Sequence, residues 1–167
     1  MSFVVWLTGL SGSGKSAIAT ELVRLLPQAS RLESDVMRTQ LTPHAEYGDA
    51  ERDFFYGALG DIARLLYERK RPVIVDATAN RRAYRDAARR AIPRFAEVYV
   101  DTPLEVCAAR DPKGLYKTAG SLPGVQAPYE PPLAPELVVH GDRGTPRDGA
   151  KQILALLERR GWLDLGQ

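Results

Sequence analysis

The sequence predicts an α/β fold: a five-stranded parallel sheet with helices on both faces and a lid loop at its carboxyl edge. Three observations predict it. Short apolar runs alternate along the chain with segments of helical periodicity. Two of those runs, Val73-Ile74-Val75 and Phe95 to Val100, end in aspartate, Asp76 and Asp101, as buried parallel strands do where they emerge from the core. One stretch from Asp111 to Pro135 is rich in Pro and Gly and has little periodicity, a length of loop that a compact domain keeps for a purpose.

Each element follows from its residues. Phe3 to Leu7 is a buried strand stopped by Thr8-Gly9, and from Lys15 the positions Ile18, Leu22, Leu25 and Leu26 repeat as one helical stripe until Pro27. A weak second strand lies around Arg31 to Glu33. Phe55, Leu59, Ile62 and Leu66 mark the buried stripe of a further helix, with Asp61, Arg64 and Glu68 opposite. Pro72 opens the β-branched strand Val73 to Val75, and a helix carrying Ala83, Ala87, Ala88 and Ala91 comes next. The strand Phe95 to Val100 leads to Pro103, placed to open a helix with Leu104, Val106, Cys107 and Ala108. After a lid of about residues 110–135, Leu137 to Val139 is the last strand, and Ile153, Leu154, Leu156 and Leu157 face a last helix that ends near Gly161.

Composition narrows the class of function. With 167 residues, 44% hydrophobic and 26% charged, the chain fits one domain over 1–167 and neither disorder nor a fibrous repeat. Lys and Arg number 23 against 21 Asp and Glu, a balance too even to announce a nucleic-acid or membrane partner. The single cysteine, Cys107, has no partner for an internal disulfide, and with two histidines it is too little for a zinc cage. No apolar run nears the roughly 18 residues of a membrane span, and Met1-Ser2-Phe3 lacks the start of a signal peptide, so the expectation is a reducing cytoplasm.

The strongest chemical signal is Gly9-Leu10-Ser11-Gly12-Ser13-Gly14-Lys15-Ser16, which matches G-x-x-x-x-G-K-[ST] between a strand and a helix. Glycines let the backbone curl so that its N–H groups point at phosphates, and the helix that follows adds the positive end of its dipole. Gly9 through Ser16, with Ala17 in the first helical turn, are the expected ATP site; Lys15 supplies a cation to the β and γ phosphates and the Ser16 hydroxyl a ligand to Mg²⁺. The two classes left are a nucleotide-hydrolysing switch or motor and a kinase for a small acceptor. The length, the lid and the lack of a guanine-reading Asn-Lys-x-Asp motif favour the kinase.

The run from Phe95 to Lys117, which contains Arg110-Asp-Pro-Lys-Gly-Leu-Tyr116, together with Pro128-Tyr129-Glu130-Pro131-Pro132 and Pro135-Glu136, resembles the adenylyl-sulfate kinase family of P-loop kinases. With the phosphate loop, the resemblance covers most of the chain. It implies ATP-dependent phosphorylation of the ribose 3′-hydroxyl of adenosine 5′-phosphosulfate, giving 3′-phosphoadenylyl sulfate in sulfate assimilation. It also implies that Arg110 lies near the ATP adenine and that Lys113 reaches the phosphosulfate or the transferring phosphate; read from the residues alone, Lys113 is a loop lysine. Asp35 and Arg38 in Glu33-Ser34-Asp35-Val36-Met37-Arg38 match the family's Asp-Gly-Asp-Asn-x-Arg. Asp35 would then orient or deprotonate the acceptor hydroxyl and Arg38 hold its anionic group, while the plain alternative for Asp35 is the cap of a helix starting at Val36. Arg52 aligns with a substrate-binding arginine of the family or is a solvated helix residue. Members of the family are commonly dimers, although these residues do not fix an oligomeric state.

The departures are specific. The family's Phe-Thr-Gly-Ile appears as Leu122-Pro123-Gly124-Val125, so Leu122 stands where the resemblance implies a phenylalanine stacked on the substrate adenine, and Val125, also a candidate contact to the substrate, stands for the isoleucine. Phe54 is either its replacement or a core residue. The family's Ile-Ser-Pro-Tyr loop gives way to Asp76-Ala77-Thr78-Ala79-Asn80, closer to the Asp-x-Thr-Asn segment of polynucleotide 5′-hydroxyl kinases. Asp76 there either binds Mg²⁺ or caps the next helix. Arg81, Arg82, Arg85, Arg89, Arg90 and Arg94 spread around that helix and read as a solvated surface, with no aromatic interleaving to suggest a nucleic-acid track. Thr145-Pro146 reads as a helix N-cap and first residue, in a loop that resembles the adenine-flanking loop of small P-loop kinases. The reading that follows is a phosphosulfate kinase; a kinase for another hydroxyl acceptor (a polynucleotide 5′ end, a sugar or an antibiotic) and a silent nucleotide-binding module are the alternatives.

Overall fold

Strand formers cluster in five runs, and in a computed structural model that describes residues 2–118, 120 and 122–163 they form one five-stranded parallel sheet. Ala119 and Ser121 of the expected lid lie outside the described residues, as do Met1 and 164–167. The strands are β1 (Val4–Thr8), β2 (Ser30–Glu33), β3 (Val73–Asp76), β4 (Phe95–Asp101) and β5 (Leu137–His140), in the order β2-β3-β1-β4-β5. The helices are α1 (Lys15–Leu25), α2 (Ser34–Leu41), α3 (Asp49–Glu68), α4 (Arg82–Ala91), α5 (Leu104–Arg110), α6 (Leu115–Thr118) and α7 (Pro146–Arg159).

β1 is central, with Val4 level with Val73 on one side and Phe95 on the other, and every one of its residues is buried. Because side chains alternate across a strand, Val5 and Leu7 enter one core with Ile18, Leu22, Ile153 and Leu157 of α1 and α7. Val4 and Trp6 enter the other, with Phe55, Leu59, Ala88 and Phe95 from α3, α4 and β4. Each such aliphatic or aromatic side chain contributes ~1.5–3 kcal/mol by leaving water. Helices cover both faces, so the loops at the carboxyl ends of the strands are left to carry chemistry.

Two expectations about packing fail. Phe54 is not a core residue: it is 60% exposed, while its neighbour Phe55 is fully buried. The basic face of α4 is not simply solvated either. Arg85 is fully buried, its Nε donates to Glu97 Oε1 at 2.6 Å, and Arg89 pairs with both Glu97 and Glu136. Arg81 and Arg82 pair with Asp49 and Glu130. Four of the six arginines are thus ion-paired with carboxylates that other elements deliver. Of the helix's alanines Ala83, Ala87, Ala88 and Ala91, only Ala88 is buried, on the same helix as Arg85.

Candidate active site

Between β1 and α1 the chain must reverse within Gly9 to Gly14, and it does so through left-handed glycines. At Gly12, φ is 78° and a Cβ would sit 2.7 Å from the Cys107 carbonyl of α5, so this position needs glycine twice over. The N-cap of α1 is Gly14, which offers no side-chain cap, and the amides of the first helical turn are left to an outside acceptor. Lys15 folds back over the loop: Nζ donates to Gly9 O at 2.9 Å and Leu10 O at 2.7 Å. Burial pushes its ammonium down to about 8, against the pull of Asp76, and the positive Lys113 adds to the lowering.

The loop is held from outside as well. Thr102 Oγ1 donates to Ser13 O at 2.8 Å, and Arg110 donates to Gly12 O at 3.2 Å and to Gly141 O at 2.9 Å, joining the phosphate loop to the turn after β5. In that turn any side chain at Gly141 would collide with Ser13 O and the Thr102 hydroxyl. Thr145 caps α7 reciprocally with Asp148, with Pro146 first in the helix, and it also lines the cleft.

Asp76 ends β3 level with Leu7 and Glu33 and is 3% exposed. It does not cap the next helix, because α4 begins only at Arg82 with Arg81 as N-cap. Its Oδ2 accepts from Arg31 Nη2 at 2.8 Å. Ser16 and Asp76 line one cleft, and among the described residues no three His, Cys, Asp or Glu side chains group into a protein-made metal cage. One hydroxyl and one carboxylate suit Mg²⁺, which keeps waters and takes its remaining ligands from a polyphosphate.

The opposite wall is made of side chains. Helix α2 starts at Ser34 with Glu33 as N-cap, so Asp35 lies inside its first turn and is not a cap. Arg38, one turn on, pairs with Glu51 at 2.7 Å, and its guanidinium carbon lies 4.1 Å from the Phe55 ring centroid and 4.8 Å from that of Tyr47. Arg52 is buried at 5% on α3 and lines the cleft, which removes the solvated alternative. From the lid, the Lys113 ammonium forms an ion pair with the Asp35 carboxylate. Leu122 lines the cleft, whereas Val125 is half exposed and neither it nor Phe54 is among the lining residues. The aromatics lining the cleft here are Tyr47 and Tyr56, and Tyr47 has a left-handed backbone conformation (φ 57°) that no periodicity in the sequence signals. Together the two walls enclose a cleft of about 1200 Å³.

Sequence reasoning also passed over how the lid's exit is fixed. Asn80 Nδ2 donates to Pro128 O at 3.0 Å and the Asn80 backbone carbonyl accepts from Glu130 N at 2.8 Å; Arg85 Nη2 donates to Glu130 O at 2.6 Å. The Tyr129 hydroxyl lies 2.9 Å from Thr8 Oγ1 at the end of β1, and burial raises that phenol well above its ordinary value. The Asn80 that suggested a polynucleotide kinase therefore anchors the lid.

Known proteins match the chain over most of its length. The family model for adenylylsulphate kinase matches residues 1–140. An adenylyl-sulfate kinase of Rippkaea orientalis is 39% identical over 95% of this chain and 93% of its own, and one of Halothermothrix orenii is 36% identical over 96% and 92%. Among solved structures, the Mycobacterium tuberculosis APS kinase CysC in complex with AMPPNP and APS superposes with a TM-score of 0.86 at 36% identity, covering 94% of this chain and 98% of that one. With the phosphate loop, the lid and both walls spanned by these matches, the chain belongs to the adenylylsulphate kinase family.

Proposed function

We propose that the protein transfers the γ-phosphoryl group of ATP to the 3′-hydroxyl of adenosine 5′-phosphosulfate. The observation that carries this reading is the meeting, in one cleft, of the phosphate loop with Asp35, Arg38 and Arg52 and with Lys113 of the lid. A structural neighbour of the same family was solved with AMPPNP and APS together, which supports the same pair of ligands here.

In this reading the loop amides and Lys15 hold the triphosphate, Arg110 lies near the ATP adenine, and Lys15 exchanges its bonds to Gly9 O and Leu10 O for phosphate oxygens. Ser16 and Asp76 would hold Mg²⁺, which would supply positive charge to offset that of the transferring phosphoryl group. Arg38 and Arg52 take the acceptor's anionic group, and Asp35 aims the hydroxyl once Lys113 has left it for the transferring phosphate. Leu122 contributes apolar contact to the acceptor, and Thr145 borders the ATP base. Catalysis is then mainly positioning and charge stabilisation. A cytoplasmic homodimer goes with this proposal, and light scattering of the purified chain tests the dimer.

The second reading, a kinase for another hydroxyl acceptor, draws on Leu122 standing where an aromatic is expected. Steady-state assays with ATP and Mg²⁺, comparing the phosphosulfate with a 5′-hydroxyl oligonucleotide and a set of sugars, separate the two. The expected result is saturable formation of a product one phosphoryl group heavier than the phosphosulfate; transfer only to another acceptor overturns the proposal.

A further inference from the structure

Asp76 is gripped from β2 by a residue that the phosphate-loop motif does not call for. Arg31 reaches across the sheet's edge, and its Nη2 donates to Asp76 Oδ2 at 2.8 Å while lying 3.4 Å from Ser16 O and 3.2 Å from Glu33 Oε2. Its Nη1 donates to Thr20 Oγ1 at 3.0 Å, and its buried Nε has no hydrogen-bond partner. The guanidinium is therefore fixed at the foot of α1, within reach of the backbone of Ser16, the residue whose hydroxyl would ligate the metal. Asp76 and the Lys15 ammonium also attract one another. One nearly buried carboxylate thus serves two cations.

A divalent ion placed between Ser16 and Asp76 meets both of those positive charges and competes with Arg31 for a carboxylate oxygen. We propose that Arg31 is a positioning residue that sets the metal requirement of the donor site. It keeps Asp76 paired and ordered in the empty cleft, and it weakens the site for Mg²⁺ alone, so that the metal is held only with a polyphosphate that supplies the missing negative charge. This inference rests on the reading of Asp76 as the metal-associated carboxylate.

The test uses the intact protein and two readouts that do not involve turnover: the thermal midpoint during titration with Mg²⁺ alone, and the affinity for ADP by calorimetry as free Mg²⁺ is varied. In the wild type, Mg²⁺ alone leaves the midpoint unmoved. Arg31→Met lowers the midpoint, Mg²⁺ alone raises it again, and tight ADP binding needs about tenfold less free Mg²⁺, as removal of a unit charge beside a divalent ion predicts. Arg31→Gln, which retains a donor for Asp76 without the charge, guards against a folding failure and shows the same shift; Arg31→Lys retains the charge and the wild-type Mg²⁺ curve. A lowered midpoint in Arg31→Met and Arg31→Gln with no response to Mg²⁺ and an unchanged Mg²⁺ curve makes Arg31 a structural tie and overturns the inference. Asp76→Asn separates the layers: if it too leaves the Mg²⁺ dependence unchanged, the reading of Asp76 fails first, and in neither case is the identity of the acceptor touched.

Discussion

The two walls of the cleft are built by different means. The donor wall is held through the backbone: Lys15, Thr102 and Arg110 all donate to carbonyls of the phosphate loop or the turn after β5. The acceptor wall is held by side-chain pairs, Arg38 with Glu51 and Lys113 with Asp35. A backbone cradle recognises any polyphosphate and tolerates few substitutions, because its glycines and its lysine are fixed by geometry. Side-chain pairs can be exchanged one at a time, so acceptor choice is the more variable property. On the proposed reading the same contrast separates what each wall would do: the first would lower the barrier for every acceptor, and the second would select among acceptors.

Changes on each wall, or behind both, should separate accordingly. The largest effect is expected from Lys15→Ala, which on the proposed reading removes a cation held for the transferring phosphate and should lower kcat by about 10³-fold for whichever acceptor is used. Stopped assays of the folded variant check this, and near-normal turnover would break the donor-wall account. Arg85→Met comes next, because Arg85 lies behind both walls, tied to β4 through Glu97 and to the lid's exit through Glu130 O. It leaves Glu97, 5% exposed, short of a partner and should cost about 3 kcal/mol of stability in urea unfolding. A neutral result would show that Arg89 alone satisfies Glu97.

The smallest effect concerns protons. Since Lys15 titrates near 8 when folded and at 10.5 when unfolded, the empty folded protein carries fewer protons than the unfolded chain between those values, so this group adds stability as pH rises through that window. ATP needs the ammonium, so ATP binding at pH 8 should take up about half a proton per site and weaken as pH rises further. Calorimetry in two buffers of different ionisation heat measures the uptake; heats independent of buffer would mean that Lys15 is already fully charged.

The contrast between the walls also explains what could be read before the fold was known. The cradle was legible because strand, glycines, Lys15 and helix must occur in that order for amides to face a phosphate. Thr145-Pro146 was legible because capping is local. The stripe Phe55, Leu59, Ile62 and Leu66 already left Phe54 off the buried face, and its exposure agrees with that stripe rather than with a core role. Arg85 was not legible. A run of arginines reads as solvated, and only the fold brings Glu97 and the carbonyls of Ala79 and Glu130 around the guanidinium. The pair of Arg31 with Asp76, forty-five positions apart, escaped for the same reason. Asp35 read as a site residue with the cap of a helix from Val36 as the alternative, and α2 begins two residues before that, at Ser34, which removes the cap.

The separation of the walls is tested most directly by equilibrium binding to Arg38→Met. Arg38 touches Glu51, Tyr47 and Phe55 on the acceptor side and none of the donor loop's hydrogen bonds. Calorimetry with adenosine 5′-phosphosulfate and, separately, with ATP should show the phosphosulfate weakened about tenfold, the loss of one charge-assisted contact, and ATP unchanged. Equal weakening of both ligands, or of ATP alone, would contradict the division of the cleft into a donor wall and an acceptor wall.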